Sequence, residues 1–521
     1  MFKIERFVGV ALVALLQPWG AATAQAAKSA QAIVYTMHFP APNTHIAEVE
    51  ARISTGGKPS LDLMLPMWSP GYYVLQDYSR NVQEFTATSN GGALPVTKPK
   101  PNHWVVTTNG ADDVVIDYKL LCTSRFITGC WVDSAFAVLN GPSVFITLDE
   151  AHRKTKRPYE VRLELAPTWQ RSVSSLDVVG TDSNDYHAPD YDTFIDSPII
   201  AGTISVHEFD VSGAKHYLAD FGDLGAWSGA RAAESLRRIA EEHCRFLGGL
   251  PFKKYVFLNS FRGGQGGLEH LNSSLLSSSR HPKDSLPTLR WLKYVSHEYF
   301  HAINVKRLRP IELGPFDYEQ LPSTPSLWIS EGLTTYYGDL AVVRSGVGSV
   351  DDYLAGLSGY IRNVQTSPGR LVQTLAQSSL TSGTTSSSGV GGDRNKTVSY
   401  YDKGPVVGVL IDARIRRVTN GRKGLDDVMR LAIKRYSGER GFRPEEFVAV
   451  ASSVAGVDLA PLFHSLVETT QELDYTEALD WFGLKFAEPG SADPARAWSL
   501  VVRPDATPEQ QAHLKTLVTS R

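Results

Sequence analysis

The sequence predicts an α+β multidomain protein: an N-terminal antiparallel β-domain, then a mixed catalytic domain, then a helical C-terminal region. Three observations carry this. Residues 31–201 alternate polar and apolar positions among β-forming side chains, as half-buried strands do. Near Ala226 the spacing becomes helical, and from Leu289 to Val467 helical periodicity dominates. The 521 residues suit two to four domains, and 42% hydrophobic against 21% charged residues excludes a disordered chain.

The elements follow in order. Lys3 and Arg6 precede an apolar run from Phe7 to Leu16, which Gln17 and Pro18 stop. Ala22-Thr23-Ala24 and Ala24-Gln25-Ala26 then offer small-residue cleavage sites. The run is shorter than the roughly 20 residues a membrane helix needs. A signal peptide over residues 1–24, a periplasmic or secreted protein and no stable membrane insertion are therefore expected. In an oxidising compartment Cys122 and Cys130 either close a small loop or remain two thiols pointing apart. Cys244, in a helical pattern, reads as a packed small hydrophobe.

The β-domain is expected over residues 27–215, with strands at Ile33 to Met37, Val105 to Thr107, Val114 to Leu120, Val144 to Leu148 and Val161 to Leu165. The simplest account is a sandwich or a curved sheet. The acidic run Asp182, Asp185, Asp190, Asp192 and Asp196 fits no EF-hand spacing and reads as a polar loop. The catalytic domain is expected over 216–346. It opens with a helix from Ala226 to Leu247, closed by Gly248-Gly249, and a strand from Tyr255 to Leu258. A helical region fills 347–487, interrupted by a Ser/Thr/Gly-rich stretch from Ser378 to Gly392 that reads as a mobile loop and a candidate lid. In the tail, residues 488–521, only Glu509 to Thr516 looks helical. Lys and Arg (52) nearly balance Asp and Glu (55), so no overall basic field points to nucleic acid.

The chemistry sits in His297-Glu298-Tyr299-Phe300-His301. Leu289, Leu292, Tyr299 and Phe300 give this segment an amphipathic helical pattern, and Pro287 suits its first turn. Residues four apart share a helix face, so both imidazoles can reach one ion while Glu298 stands beside it, placed for a water. A metzincin would need Gly at position 304 and His at 307; this chain has Asn304 and Arg307. A thermolysin-like arrangement instead needs a glutamate from the next helix. Thr324 can cap such a helix, Pro325 can open it and Gly346 can end it, and Trp328-Ile329-Ser330-Glu331-Gly332 presents Glu331 one turn in. Two histidines and one glutamate suit a single Zn²⁺ and leave its fourth position open.

These residues, together with several further motifs, resemble the M61 glycyl aminopeptidases, thermolysin-like zinc peptidases related in layout to the M1 aminopeptidases. The motifs are Trp68-Ser69-Pro70-Gly71-Tyr72, Arg80-Asn81-Val82, Tyr191-Asp192, Asp196-Ser197-Pro198, Gly266-Gly267-Leu268-Glu269-His270, Asn304-Val305-Lys306-Arg307 and Ser399-Tyr400-Tyr401-Asp402-Lys403-Gly404. Two departures stand out. Ile303 follows Ala302 where the family usually has tryptophan, and too few residues follow Phe482 for the usual PDZ domain.

The resemblance implies a zinc-dependent aminopeptidase acting on peptides, with small first residues (Gly, Ala) preferred. His297, His301 and Glu331 would hold the metal, Glu298 would be the general base, and Tyr401 would donate to the oxyanion, with its neighbour Tyr400 the next choice. From the residues alone, Gly266 to His270 reads as a glycine turn followed by a solvated Glu and His. The resemblance makes it an edge strand along which the peptide lies, Gly266 and Gly267 admitting its backbone and Glu269 binding its α-ammonium. His270 would support Glu269 or line the pocket. Asp339, two turns beyond Glu331, would orient a ligand or face solvent. A zinc endopeptidase, or a non-catalytic peptide-binding protein on the same scaffold, remains the alternative.

Overall fold

The computed structural model describes residues 31–149, 157–263, 266–278, 285–382 and 392–519. The expected signal peptide lies outside them. So does the centre of the Ser378 to Gly392 stretch, whose first residues are not a loop: Leu375–Leu380 is a helix capped by Thr374, with Ser378 and Ser379 buried.

The N-terminal region is a β-sandwich. An eight-stranded sheet and two four-stranded sheets share one core, to which Tyr35, Val49, Leu63, Trp104, Leu139 and Ala201 all contribute. Strand Ile33–His38 alternates buried and half-buried positions. It pairs antiparallel with Ile46–Ser54 and parallel with Tyr159–Glu164, the one departure from antiparallel order here. The expected strand from Val144 to Leu148 shrinks to Thr147–Leu148. Gly141–Ser143 is a 3-10 turn, and its first residue is packed so closely against the backbone of Ile195 that a Cβ there would overlap it. Cys122 and Cys130 are joined in a disulfide.

The catalytic sheet begins at Ser205, ahead of the boundary placed at residue 216. Its strand order is Ser205–Val211, Ala214–Gly222, Lys254–Phe261, Ser273–Ser277, Gly266–Glu269. The sheet carries two apolar faces, as parallel strands buried on both sides do. Tyr255 and Phe257 pack against the helices Gly229–Leu247 and Leu289–Phe300, while Val256 and Leu258 pack against Trp131, Phe136 and Ile200 of the β-domain. The first helix stops at Gly248, whose φ of 74° only glycine adopts freely.

Behind the sheet, helices Leu333–Arg344, Val350–Gln365, Tyr400–Val418, Leu425–Tyr436 and Pro444–Ala455 bury one large core. The tail belongs to this core. Leu500–Val502 pairs with Leu484–Phe486, and helix Pro508–Val518 buries Leu514, Leu517 and Val518 while the Leu517 carbonyl accepts from Arg344. Trp68 and Tyr73 of the β-domain also join that core rather than their own. The loop at 317–319 is pinned to the β-domain: Trp68 Nε1 donates to the Asp317 carbonyl at 2.8 Å, and buried His103 bridges Asp62 and Glu319 at 2.9 Å each. No helix among the described residues is long and apolar enough to cross a membrane.

Candidate active site

Leu289–Phe300 is a helix capped by the Thr288 hydroxyl, which accepts from Trp291 N. Pro287 therefore stands just before the cap, not in the first turn. The helix ends with His301 at its C-cap, so His297 and His301 both project from the last turn. Their Nε2 atoms lie 2.9 Å apart, and Glu331 Oε2 is 3.5 Å from the first and 3.3 Å from the second. His301 Nδ1 bonds the Asn304 carbonyl at 2.9 Å, which requires a proton on Nδ1, so that in the neutral ring Nε2 carries the lone pair a metal would take. His297 Nδ1 lies 3.2 Å from Thr335 Oγ1. Two imidazole nitrogens and one carboxylate oxygen converging in this way form the donor set of a catalytic zinc site.

Glu331 does not sit on an ordinary helical turn. Trp328–Gly332 is a π-helical turn running into Leu333–Arg344, a widening that often marks functional positions. Asn304 holds the turn to the histidine helix, its Nδ2 donating to Ile329 O at 2.7 Å and to Thr334 Oγ1 at 3.0 Å. On the other side Gly332 meets Gly404: a Cβ on either would lie 2.6 Å from the other's Cα. This backbone approach brings in helix Tyr400–Val418, whose cap Ser399 accepts from Tyr401 N at 3.1 Å. The Tyr401 ring then stands 6.1 Å from the His297 ring. Tyr400, the alternative, stacks on Tyr401 and bonds Ser382.

Gly266–Glu269 is the edge strand of the catalytic sheet, so the expected glycine-turn alternative gives way to extended backbone. Glu269 is 4% exposed and its Oε1 has no hydrogen-bond partner among the described residues, so it is not the solvated acid that the residues alone suggest. Gly267 abuts the Glu298 carboxylate so closely that a Cβ would overlap it. Gly266, at φ 123°, has its carbonyl bonded by Tyr294 Oη at 2.6 Å. From the β-domain, Gly71 (φ 92°) lies against Glu269: a Cβ there would be 2.6 Å from both carboxylate oxygens.

Three carboxylates thus crowd one buried volume. Burial pushes Glu298 up to about 8, with His301 opposing and Glu269 and Glu331 adding to the rise. Burial raises Glu269 as well. Burial also opposes charge on His301, but Glu331, Glu269 and Glu298 outweigh it and hold that imidazole up at about 10. Glu331 is held below the usual carboxylate range because His301 and His297 outweigh its burial. Buried carboxylates this close to two imidazoles make a site in which a bound cation can replace the protons they take up. Burial keeps the Tyr401 hydroxyl protonated and available as a donor.

Other expectations are corrected. His270 neither bonds Glu269 nor lines the metal site; its Nδ1 pairs with Asp196 at 3.0 Å. Asp196 is no solvated loop residue, since it also accepts from Lys306 Nζ and Leu271 N, both at 2.8 Å. It thereby ties the end of the edge strand to the chain that follows the histidine helix. Asp192 bonds the Tyr318 hydroxyl and Asp190 caps helix Tyr191–Ile195. Asp339 is buried, paired with Lys293 at 2.9 Å, and faces neither solvent nor the ligands. Ile303 packs among His243, Leu247, Phe252 and Phe300. Sequence reasoning missed Asn304, Thr335, Gly332 and Gly404 as site-builders, although Asn304, Gly332 and Gly404 lie within motifs already singled out.

Two family models decide the relationship. The peptidase M61 N-terminal domain matches residues 34–203 and the M61 glycyl aminopeptidase domain matches residues 290–407, together more than half of the chain. The chain belongs to the M61 glycyl aminopeptidase family. As a member it is a peptidase, a hydrolase of peptide bonds. Among solved structures it is similar to an aminopeptidase N family protein from Idiomarina loihiensis, at 25% identity and a TM-score of 0.81, covering 87% of this chain and 78% of that one. It shares its fold with an M1 zinc metallopeptidase from Deinococcus radiodurans at 12% identity, TM-score 0.55, with 86% and 95% covered. A mutant of the Deinococcus enzyme bound to a Tyr-Ser-Ala substrate aligns at 11% identity and a TM-score of 0.53, with the same coverage. No curated protein matches the chain.

Proposed function

We propose that this M61 peptidase is a zinc aminopeptidase that removes small N-terminal residues from peptides, in the periplasm or outside the cell. One observation carries the reading: the ligand trio His297, His301 and Glu331 lies beside a buried carboxylate, Glu269, whose Oε1 has no hydrogen-bond partner among the described residues, at the end of an open edge strand. A single Zn²⁺ held by that trio would supply Lewis acidity and an acidified water, with a pKa lowered to about 7.

The chain's own residues do the rest. A peptide adds beside Gly266–Glu269 as a further strand, which Gly266 and Gly267 leave room for. Its α-ammonium pairs with Glu269, and the Gly71 backbone behind that carboxylate closes the path to a longer chain. Glu298 takes a proton from the attacking water and returns it to the leaving amine. The Tyr401 hydroxyl donates to the oxyanion as it develops. The small-residue preference is supported by the family's glycyl designation and by the bulk of Tyr73 and Tyr400, both of which feel the charges of Glu269 and Glu331. The Deinococcus mutant's tripeptide substrate suits peptides as the substrate class.

Paired peptides with free and acetylated N-termini test the reading. Only the free peptide should be cleaved, and Glu269→Gln should cost it at least about tenfold in kcat/KM. Equal cleavage of both peptides would replace the aminopeptidase with an endopeptidase.

A further inference from the structure

Arg262 follows strand Lys254–Phe261 and is 4% exposed. Among the described residues its Nε and Nη1 have no hydrogen-bond partner, and Nη2 reaches only the Phe126 carbonyl, at a long 3.4 Å. Beside it lies a second guanidinium. Arg125, exposed, donates to the Arg262 carbonyl at 3.5 Å and stacks over the Trp131 ring at 4.4 Å. Among the described residues neither arginine has a carboxylate within ion-pair distance. An unpaired buried cation is destabilising, and a like charge next to it makes it more so. Burial and Arg125 together bring the Arg262 guanidinium down to about 10. A carboxylate arriving from outside relieves both costs, and a guanidinium held over an indole ring is already positioned near Arg262 to share a bidentate acid.

The position is suited to the substrate. Ser277 pairs with Ser260 on one side and with Gly266 on the other, and its hydroxyl donates to the Gly263 carbonyl at 3.5 Å. Arg262 therefore lies off the Gly266 end of the edge strand, opposite the Glu269 end. Phe126, 45% exposed, packs edge-on to Tyr72 at 5.0 Å, next to the Gly71 that touches Glu269. One wall of the β-domain thus runs from the acidic end to the basic end. The strand spans roughly 10 Å, the reach of about three extended residues.

We propose that Arg125 and Arg262 form a carboxylate subsite that takes the free C-terminus of a three- to four-residue peptide whose N-terminus is held at Glu269. The inference rests on the aminopeptidase reading, and it makes the enzyme selective for short zwitterionic peptides. The reacting bond then lies between an acidic end that holds the amine and a basic end that holds the acid.

The test uses the full chain with zinc bound and three probes: Ala-Gly-Gly, its C-terminal amide, and Ala-Gly-Glu amide. The amide should lose roughly tenfold or more in kcat/KM, mainly through KM. In Arg125→Gln, an exposed position where folding is not at stake, the free acid should fall towards its amide. Equal rates for acid and amide in the wild type would overturn the subsite while leaving the aminopeptidase intact. Recovery of the full rate by Ala-Gly-Glu amide would overturn the assignment to the C-terminus in favour of an acidic side chain. Failure of the aminopeptidase reading looks different, because acetylated Ala-Gly-Gly would then be cleaved as fast as the free peptide.

Discussion

Alanine in place of Gly404 probes how the oxyanion donor is positioned. The new methyl would lie 2.6 Å from the Gly332 Cα and 3.2 Å from the Trp328 carbonyl oxygen. Carbon atoms rest at about 3.5 Å, so the two backbones must part by about 1 Å. No rotamer relieves the clash, because the opposing atoms are main chain. Asn304 anchors the Trp328–Gly332 turn to the histidine helix, so the helix Tyr400–Val418 is the partner free to move, and Tyr401 moves with it.

A 1 Å misplacement of a reacting group costs about 10²-fold, or about 2.7 kcal/mol of barrier. Overpacking adds about 1–3 kcal/mol of lost stability. Gly404→Ala should therefore lower kcat about 100-fold on a small-residue tripeptide, with zinc content by atomic absorption unchanged. Gly332→Ala crowds the same gap. Once either methyl has opened it, the second should cost little, so the double variant should lie well short of the summed effects. A kcat within about twofold of wild type, or full additivity, would refute the reasoning.

Two further outcomes follow from the same geometry. Glu298→Gln should keep zinc and lose turnover by about 10²–10⁴-fold, whereas Glu331→Gln should lose zinc itself; metal content and rates measured on one preparation separate them. Burial lowers His216 to about 4 and His243 to about 3, against an ordinary value of 6.5. Above that value both are neutral whether folded or not. As pH falls below it the unfolded chain takes up protons that the fold refuses, so stability declines, by roughly 2 kcal/mol per histidine between pH 6.5 and 4.5. Urea unfolding at the two pH values should show this, and His243→Gln should flatten the dependence; an unchanged slope in that variant would discount the buried imidazole.

Much of the site was legible in the sequence because helix geometry is local. Four-residue spacing places His297 and His301 on one face whatever surrounds them, and the next helical segment supplies Glu331, although it starts at Trp328 without the Thr324 cap that the sequence suggests. Strand periodicity likewise located Ile33–His38 and Tyr159–Glu164 within a residue or two. What escaped was set by contacts between distant segments. Asp196 looks like one more acid in a polar run until Lys306, 110 positions later, is packed against it. The π-helical turn at Trp328–Gly332 depends on Asn304, 25 positions earlier, and no propensity encodes it. The tail seemed peripheral because Leu514 and Leu517 are few, yet they close a core to which Leu333 and Trp68 also belong.

The glycines explain why this centre is assembled by main chain as much as by side chains. Gly71 brings the β-domain backbone onto Glu269, Gly267 brings the edge strand onto Glu298, and the Gly332–Gly404 pair brings the Tyr401 helix onto the Glu331 turn. At each contact a Cβ would lie nearer than 3 Å to its neighbour, so any other residue forces apart two elements that carry different parts of the reaction. Side chains supply charge and protons, but their separations are fixed by how closely the strands and helices beneath them can approach. Substituting these four positions should therefore act on rate before it acts on folding, since each contact lies at the junction of two elements whose own cores remain intact.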